Sequence, residues 1–293
     1  MSLSLEFITH FSKELSAFFQ EPITVKSFKT VSGGSINQTY WVITNQNSYF
    51  LKLNDANSFP NMFENEAVGL QTLHGKSGIF VPKPLLIGEI GAFKYLVMDY
   101  LEKAPTTTCF WKNFGYELAT LHRNTASKFG LIRNNYIGSL PQSNKSHSTW
   151  SGFFRSERLN PLAEKAAQKG LLGNTEMEAF IRLYNRIDEI FPNEPPTLLH
   201  GDLWSGNFMC TKEDNPAIFD PAVYYGHREM DIAMTKLFGG FNPEFYEYYN
   251  EAFPLAKGWE SRVAICNLYP LLVHLLLFGS SYLWDIKRVL KNF

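Results

Sequence analysis

The 293-residue chain has only three cysteines, Cys109, Cys210 and Cys266, widely spaced and in no CxxC arrangement. Their scarcity excludes a disulfide framework, gives no support to a zinc site and fits a reducing, cytoplasmic setting. An excess of one charge is also lacking: 27 Lys and Arg against 28 Asp and Glu leave a formal charge of -1. A general nucleic-acid binder shows a basic excess or stripe, so no nucleic-acid partner is expected. The most apolar run, Leu268 to Phe278, is short for a bilayer and contains Pro270 and His274. It reads as a buried helix, and no membrane partner is expected. Internal repeats, low-complexity tracts and the basic start of a signal peptide are lacking as well.

What is present is a large apolar fraction, 45% of residues with 15% aromatic, enough to fill two lobes or one large domain. Phe7, Ile8, Phe11, Leu15 and Phe18 fall at helical spacing. Ile23 to Val31 and Thr39 to Thr44 alternate as strands around a Gly-containing tip, and Tyr49 to Leu53 is a third strand with Lys52 among apolar neighbours. Pro60 precedes a helical face of Phe63, Ala67, Leu70 and Leu73, and two further strands span Pro84 to Glu89 and Phe93 to Tyr100. Beyond Tyr100 the pattern turns helical: Phe110 to Asn124, Gly152 to Lys169, Thr175 to Ile190 and most of Asn242 to Leu290. The expected architecture is α+β in two lobes, a strand-rich N-terminal lobe over residues 1–99 and a mainly helical C-terminal lobe over 100–293, with a ligand cleft between them.

The densest polar cluster in apolar surroundings is Leu199-His200-Gly201-Asp202-Leu203-Trp204-Ser205-Gly206-Asn207-Phe208. Such a cluster must either satisfy itself or handle a charged ligand. Its spacing, His-x-Asp-x-x-x-x-Asn, is that of the catalytic loop of protein-kinase-like phosphotransferases, with Gly201 where protein kinases place Arg. In that chemistry Asp202 takes the proton of the attacking hydroxyl and Asn207 is a Mg²⁺ ligand. Asp220, ending the apolar stretch Ala217-Ile218-Phe219, stands as the second Mg²⁺ ligand, since a hard cation wants oxygen donors. His200 braces the loop.

The same template needs a phosphate-covering loop, a strand lysine and a helix glutamate. Ser32, Gly33, Gly34, Ser35, Ile36 and Asn37, then Lys52, then Glu66 arrive in that order, with Glu64 the alternative partner for the lysine. Met98, Asp99 and Leu101 fall where a hinge would receive adenine, the backbone of Asp99 and Leu101 bonding it and Met98 behind the ring. Singly these residues are ordinary, a hairpin turn, a strand lysine, a solvated glutamate; their order gives them meaning. Trp204 is expected either to wall a substrate or to pack in the core, and His227 and Glu229 are candidate polar groups on the substrate side, an acid suiting a cationic amine.

His200-Gly201-Asp202-Leu203-Trp204-Ser205-Gly206-Asn207, Asp220-Pro221-Ala222, Tyr225-Gly226-His227 and Phe238-Gly239-Gly240-Phe241 together closely resemble the fructosamine-3-kinase (ketosamine-3-kinase) family. Phe63-Glu64-Asn65-Glu66-Ala67 and Lys128-Phe129-Gly130 are similar too. The resemblance implies a protein-kinase-like fold, ATP and Mg²⁺ as cofactors, and phosphorylation of the 3-hydroxyl of a free or protein-bound ketosamine, whose 3-phosphate then eliminates to free the amine. His-Gly-Asp-x4-Asn alone is shared with aminoglycoside and choline kinases, so a kinase of another amino sugar or amino alcohol is the alternative, and a nucleotide-binding pseudokinase the third reading. Some relatives carry a cysteine where this chain has Ser35, which implies that redox pairing there is absent.

Overall fold

The computed structural model describes residues 3–31 and 36–293. Its first helix, α1 (Leu5–Phe19), is started by the Ser4 hydroxyl, which accepts the Phe7 N–H, and buries Phe7, Phe11 and Leu15 on one face. Strands β1 (Val25–Thr30), β2 (Gln38–Thr44) and β3 (Ser48–Asp55), helix α2 (Met62–Leu73), and strands β4 (Pro84–Ile90) and β5 (Phe93–Asp99) follow. The five strands form one antiparallel sheet in the order β1-β2-β3-β5-β4. Pleating sends Tyr49, Leu51 and Leu53 of β3 into the core beneath α1, with Tyr95 and Val97 of β5. Lys52, between them in sequence, therefore points to the opposite face, where α2 lies.

Helix α3 (Thr108–Leu121) opens the second lobe. Two short hairpin strands follow, β6 (Asn135–Ile137) and β7 (Leu140–Gln142), then α4 (Trp150–Phe153), a π-helical turn at Phe154–Leu159, α5 (Asn160–Gln168), α6 (Asn174–Tyr184) and α7 (Ile187–Ile190). Strands β8 (Thr197–Leu199), β9 (Phe208–Cys210), β10 (Pro216–Ile218) and β11 (Tyr224–Gly226) make two small antiparallel pairs, β9 with β10 and β8 with β11. Helices α8 (Glu229–Lys236), α9 (Pro243–Ala252), α10 (Trp259–Cys266), α11 (Leu268–Phe278) and α12 (Leu283–Leu290) complete the chain. The expected helix over Gly152 to Lys169 is thus broken by a π turn, and that over Thr175 to Ile190 by a turn at Asn185 and Arg186. Together α10 and α11, Trp259–Phe278, have the length and apolarity of a membrane span, but most of that surface is buried inside the protein.

The two lobes are laced together in several places. Phe80, between α2 and β4, donates its N–H to the Pro216 carbonyl and accepts from the Ile218 N–H. The Tyr136 hydroxyl of β6 donates to the Pro60 carbonyl at 3.1 Å, and its ring meets Phe59 edge-on. Tyr100, just after β5, stacks on Trp41 of β2 with ring centroids 4.8 Å apart. One apolar core runs from α2 and β5 through α3 into β9, β10 and α9, joining Leu70 and Met98 to Phe110, Leu203 and Ile218. Burying each such side chain stabilises by about 1.5–3 kcal/mol, so the lobe boundary is itself a core.

Candidate active site

The loop between β8 and β9 is held by bonds that explain its polar residues. The buried His200 ring donates from Nε2 to the Phe219 carbonyl at 3.0 Å, which leaves Nδ1 to accept the Asp202 N–H at 3.2 Å. Burial lowers the His200 pKa and favours this neutral form. The Asn207 amide donates to the Asp202 carbonyl at 2.8 Å and to its Oδ2 at 3.0 Å. Gly201 has φ +83°, and a Cβ there would lie 2.1 Å from the Ala222 carbonyl oxygen. Only glycine fits between loop and segment.

Behind the loop sits a residue that sequence reasoning missed. Asp231 of α8 is buried and accepts the N–H groups of His200 at 2.8 Å and Gly201 at 2.9 Å. His122, at the end of α3, lies 3.2 Å from the same carboxylate through Nε2 and 2.8 Å from the Tyr249 hydroxyl through Nδ1. Asp231 thereby fixes the backbone on the N-terminal side of Asp202. Nothing in the local pattern Arg228-Glu229-Met230-Asp231 sets this acid apart from Glu229.

Lys52 is buried, and its Nζ reaches Glu66 at 2.6 Å and Asp220 at 2.5 Å. Burial opposes its charge, but the two carboxylates outweigh burial and raise its pKa above the ordinary value. Glu64 pairs instead with Lys94 on β5 at 2.5 Å, so the choice left open between the two glutamates is decided. Asn37 is held by Asn54 of β3 at 2.7 Å. The Asp202 carboxyl is pushed up to about 7, first by burial and then by the neighbouring Asp220 charge. A base poised there suits proton transfer near neutrality.

Ile36, Asn37, Lys52, Glu66, Asp202, Trp204, Asn207 and Asp220 line one cavity between the lobes. Trp204 is partly exposed on its wall, so its ring faces the cavity instead of filling the core. A Cβ at Gly206 would meet that ring at 2.4 Å, which explains a glycine two residues on. The other end is lined by Pro270, Val273, His274, Leu277 and Phe278 of α11. His274, an isolated polar residue in an apolar run, donates from Nδ1 to the Pro270 carbonyl at 2.8 Å and keeps Nε2 as an acceptor.

Other expected site residues lie elsewhere. Met98 is buried in the core between α2 and the second lobe, and the Asp99 N–H bonds the Lys83 carbonyl. Neither they nor Leu101 line the cavity. Ser32, Gly33, Gly34 and Ser35 lie outside the described residues. The expectation for His227 and Glu229 is corrected: both are buried and away from the cavity. Glu229 is held by the Arg262 guanidinium at 2.6 and 2.7 Å, so its charge is already met. His227 packs against Phe191 and Trp150.

The donor set suits a hard divalent cation. With its amide nitrogen turned to Asp202, Asn207 keeps Oδ1 for another partner, and Asp220 presents a carboxylate 39% exposed beside it.

Compared with known proteins, the sequence model of the fructosamine kinase family matches residues 7–293. The chain belongs to that family. Among its curated relatives is "Probable ketoamine kinase HMPREF0351_12196" of Enterococcus faecium, 40% identical over 265 residues, covering 90% of this chain and 94% of the relative. "Protein-ribulosamine 3-kinase, chloroplastic" of Oryza sativa subsp. indica is 34% identical over 277 residues, 92% of this chain and 79% of the relative. A Haemophilus somnus 129PT crystal structure with a provisional fructosamine-3-kinase assignment superposes with a TM-score of 0.88 at 28% identity, covering 99% of each chain. Family and fold agree with the expectation of a two-lobed, kinase-like α+β protein.

Proposed function

We propose that the protein is an ATP-dependent ketosamine 3-kinase, acting on sugar adducts of amines such as fructosamines and ribulosamines. The single observation that carries this reading is one cavity lined by Lys52, Asp202, Asn207 and Asp220 at one end and by Trp204 and His274 at the other, in a chain of this family. Names borne by its relatives, ketoamine kinase and protein-ribulosamine 3-kinase, support the acceptor.

In this mechanism Lys52, oriented by Glu66, binds the nucleotide phosphates, and residues Ser32 to Asn37 cover them. The adenine extends past the cavity toward the chain at Asp99 and Leu101, with Met98 buried behind that segment. Asn207 and Asp220 would hold Mg²⁺, which when bound neutralises charge on the phosphates. Asp202 accepts the proton of the acceptor hydroxyl as that oxygen bonds to the γ-phosphorus and the bond to ADP breaks. Trp204 walls the sugar, and His274 Nε2 accepts a hydrogen bond from it. The unpaired cysteines, two of them buried, support a reducing compartment such as the cytoplasm.

The test is Mg²⁺-dependent ADP release with ribulose-lysine and fructose-lysine beside an aminoglycoside and choline panel. Turnover is expected on the ketosamines and absent from Asp202→Asn, which keeps nucleotide binding. Turnover confined to the panel, or persisting in the variant, would refute the acceptor or the base respectively.

A further inference from the structure

The cavity does not end at the sugar wall. Three more rings, Phe238, Phe278 and Tyr282, gather around Trp204 and His274 at this end. Phe278 lines the cavity and is 52% exposed, and Phe238 is 37% exposed. Phe238 meets Trp204 with centroids 6.2 Å apart at 85°, lies 4.7 Å from His274, and meets Tyr282 at 6.2 Å and 84°. Phe278 lies 5.3 Å from His274 and 6.5 Å from Tyr282. Rings set edge to face leave faces open to a guest.

The backbone presenting Phe238 is unusual. Its φ is +56°, followed by Gly239 at +103° and Gly240 at +73°. A bulky aromatic side chain in the left-handed region is an outlier, and such strain collects where a side chain must be aimed. Burial alone does not account for it, since the residue remains 37% exposed. None of Trp204, Pro270, Val273, His274, Leu277 and Phe278, which line this end, carries a carboxylate. A cation entering here meets ring faces, whose negative quadrupoles attract it.

The geometry points to Phe238 and Phe278, with Tyr282, as the residues that clasp the substituent on the amine nitrogen of the acceptor, selecting ketosamines that carry an extended apolar arm. This inference rests on the proposed function. In a ketosamine the amine sits on C1, two carbons from the C3 hydroxyl that Asp202 engages. The nucleotide fills the Lys52 end, so the substituted ammonium and its arm are directed to the opposite mouth, between the two phenylalanines. An alkyl chain such as that of a lysine residue buries its methylenes on the rings while the ammonium lies over a face.

The experiment compares kcat/KM for ribulosamines and fructosamines bearing N-methyl or N-hexyl groups, in the wild type and in Phe238→Asn, Phe238→Leu and Phe278→Ala. Asn adopts the left-handed backbone readily, so Phe238→Asn removes the ring without disturbing the loop. The wild type is expected to favour the N-hexyl substrates by about tenfold, chiefly through KM. Phe238→Asn and Phe278→Ala should bring that ratio to within about twofold of unity, and Phe238→Leu, which keeps bulk but no π face, should lie between. A wild type indifferent to the arm, or a preference intact in both ring-deleted variants, would overturn this inference while leaving the kinase reading standing. Absence of turnover on every ketosamine would overturn the proposed function, and this inference with it.

Discussion

Replacing Gly201 by alanine tests how closely the catalytic loop is fitted to the segment that carries Asp220. At φ +83° an L residue costs about 1–2 kcal/mol. The new Cβ would lie 2.1 Å from the Ala222 carbonyl oxygen and 2.7 Å from its carbon, whereas real Cβ atoms stay beyond 3.0 Å, so one backbone must retreat by close to an ångström. Neither can do so alone. Ala222 donates its N–H to the His200 carbonyl at 2.9 Å, and its own carbonyl accepts from Gln142 at 3.1 Å. The shift therefore reaches Asp202 on one side and Asp220 on the other. A misplacement of about 1 Å costs on the order of 100-fold in rate, equivalent to about 2.7 kcal/mol of barrier. We expect Gly201→Ala to lose about that factor in kcat, with a Tm lowered by several degrees at about 2–4 °C per kcal/mol. Coupled ADP release and a circular-dichroism melt measure the two. A kcat within about twofold of wild type at unchanged Tm would show that loop and segment are not in register as described.

The other predictions follow the same geometry. Asp231→Asn offers one acceptor oxygen to the three donors at 2.8, 2.9 and 3.2 Å, leaving a buried N–H opposed by an amide. Urea denaturation should show a loss of about 1–3 kcal/mol, and an unchanged midpoint would remove Asp231 from its bracing role. Burial lowers the pKa of His227 below its ordinary 6.5, so the unfolded chain takes up a proton there that the folded protein refuses, and the His227 contribution to stability falls as pH drops below 6.5. The raised Asp202 carboxyl works in the opposite sense, so the histidine is read by difference: the stability of wild type relative to His227→Phe should decline between pH 7.5 and 5.5. Parallel curves for the two proteins would contradict it.

Some of this was legible in the sequence for a definite reason. Asp202, Asn207 and Asp220 lie on one short stretch, so their spacing could be read directly. Lys52 was legible because a strand period of two sets it opposite its apolar neighbours. Glu66 was harder: Glu64 is two positions away on α2, and only the tertiary placement of Lys94 separates the two. Strands β6 and β7, three residues each, are too short to alternate visibly, although they carry Tyr136 and Gln142. Glu229 was misread because its partner, Arg262, lies 33 positions further along the chain, a distance no local pattern spans.

The lacing between the lobes has a mechanical consequence. Two bodies joined by one connector can swing, and a second joint leaves a single axis. Here the chain after β5, the Phe80 bridge to β10 and the Tyr136 bond to Pro60 make three separate joints. Widening the jaws therefore has to break the Tyr136 bond and part the Phe80 pairing, each hydrogen bond costing about 0.5–1.5 kcal/mol, so a bulky acceptor is gauged against that resistance.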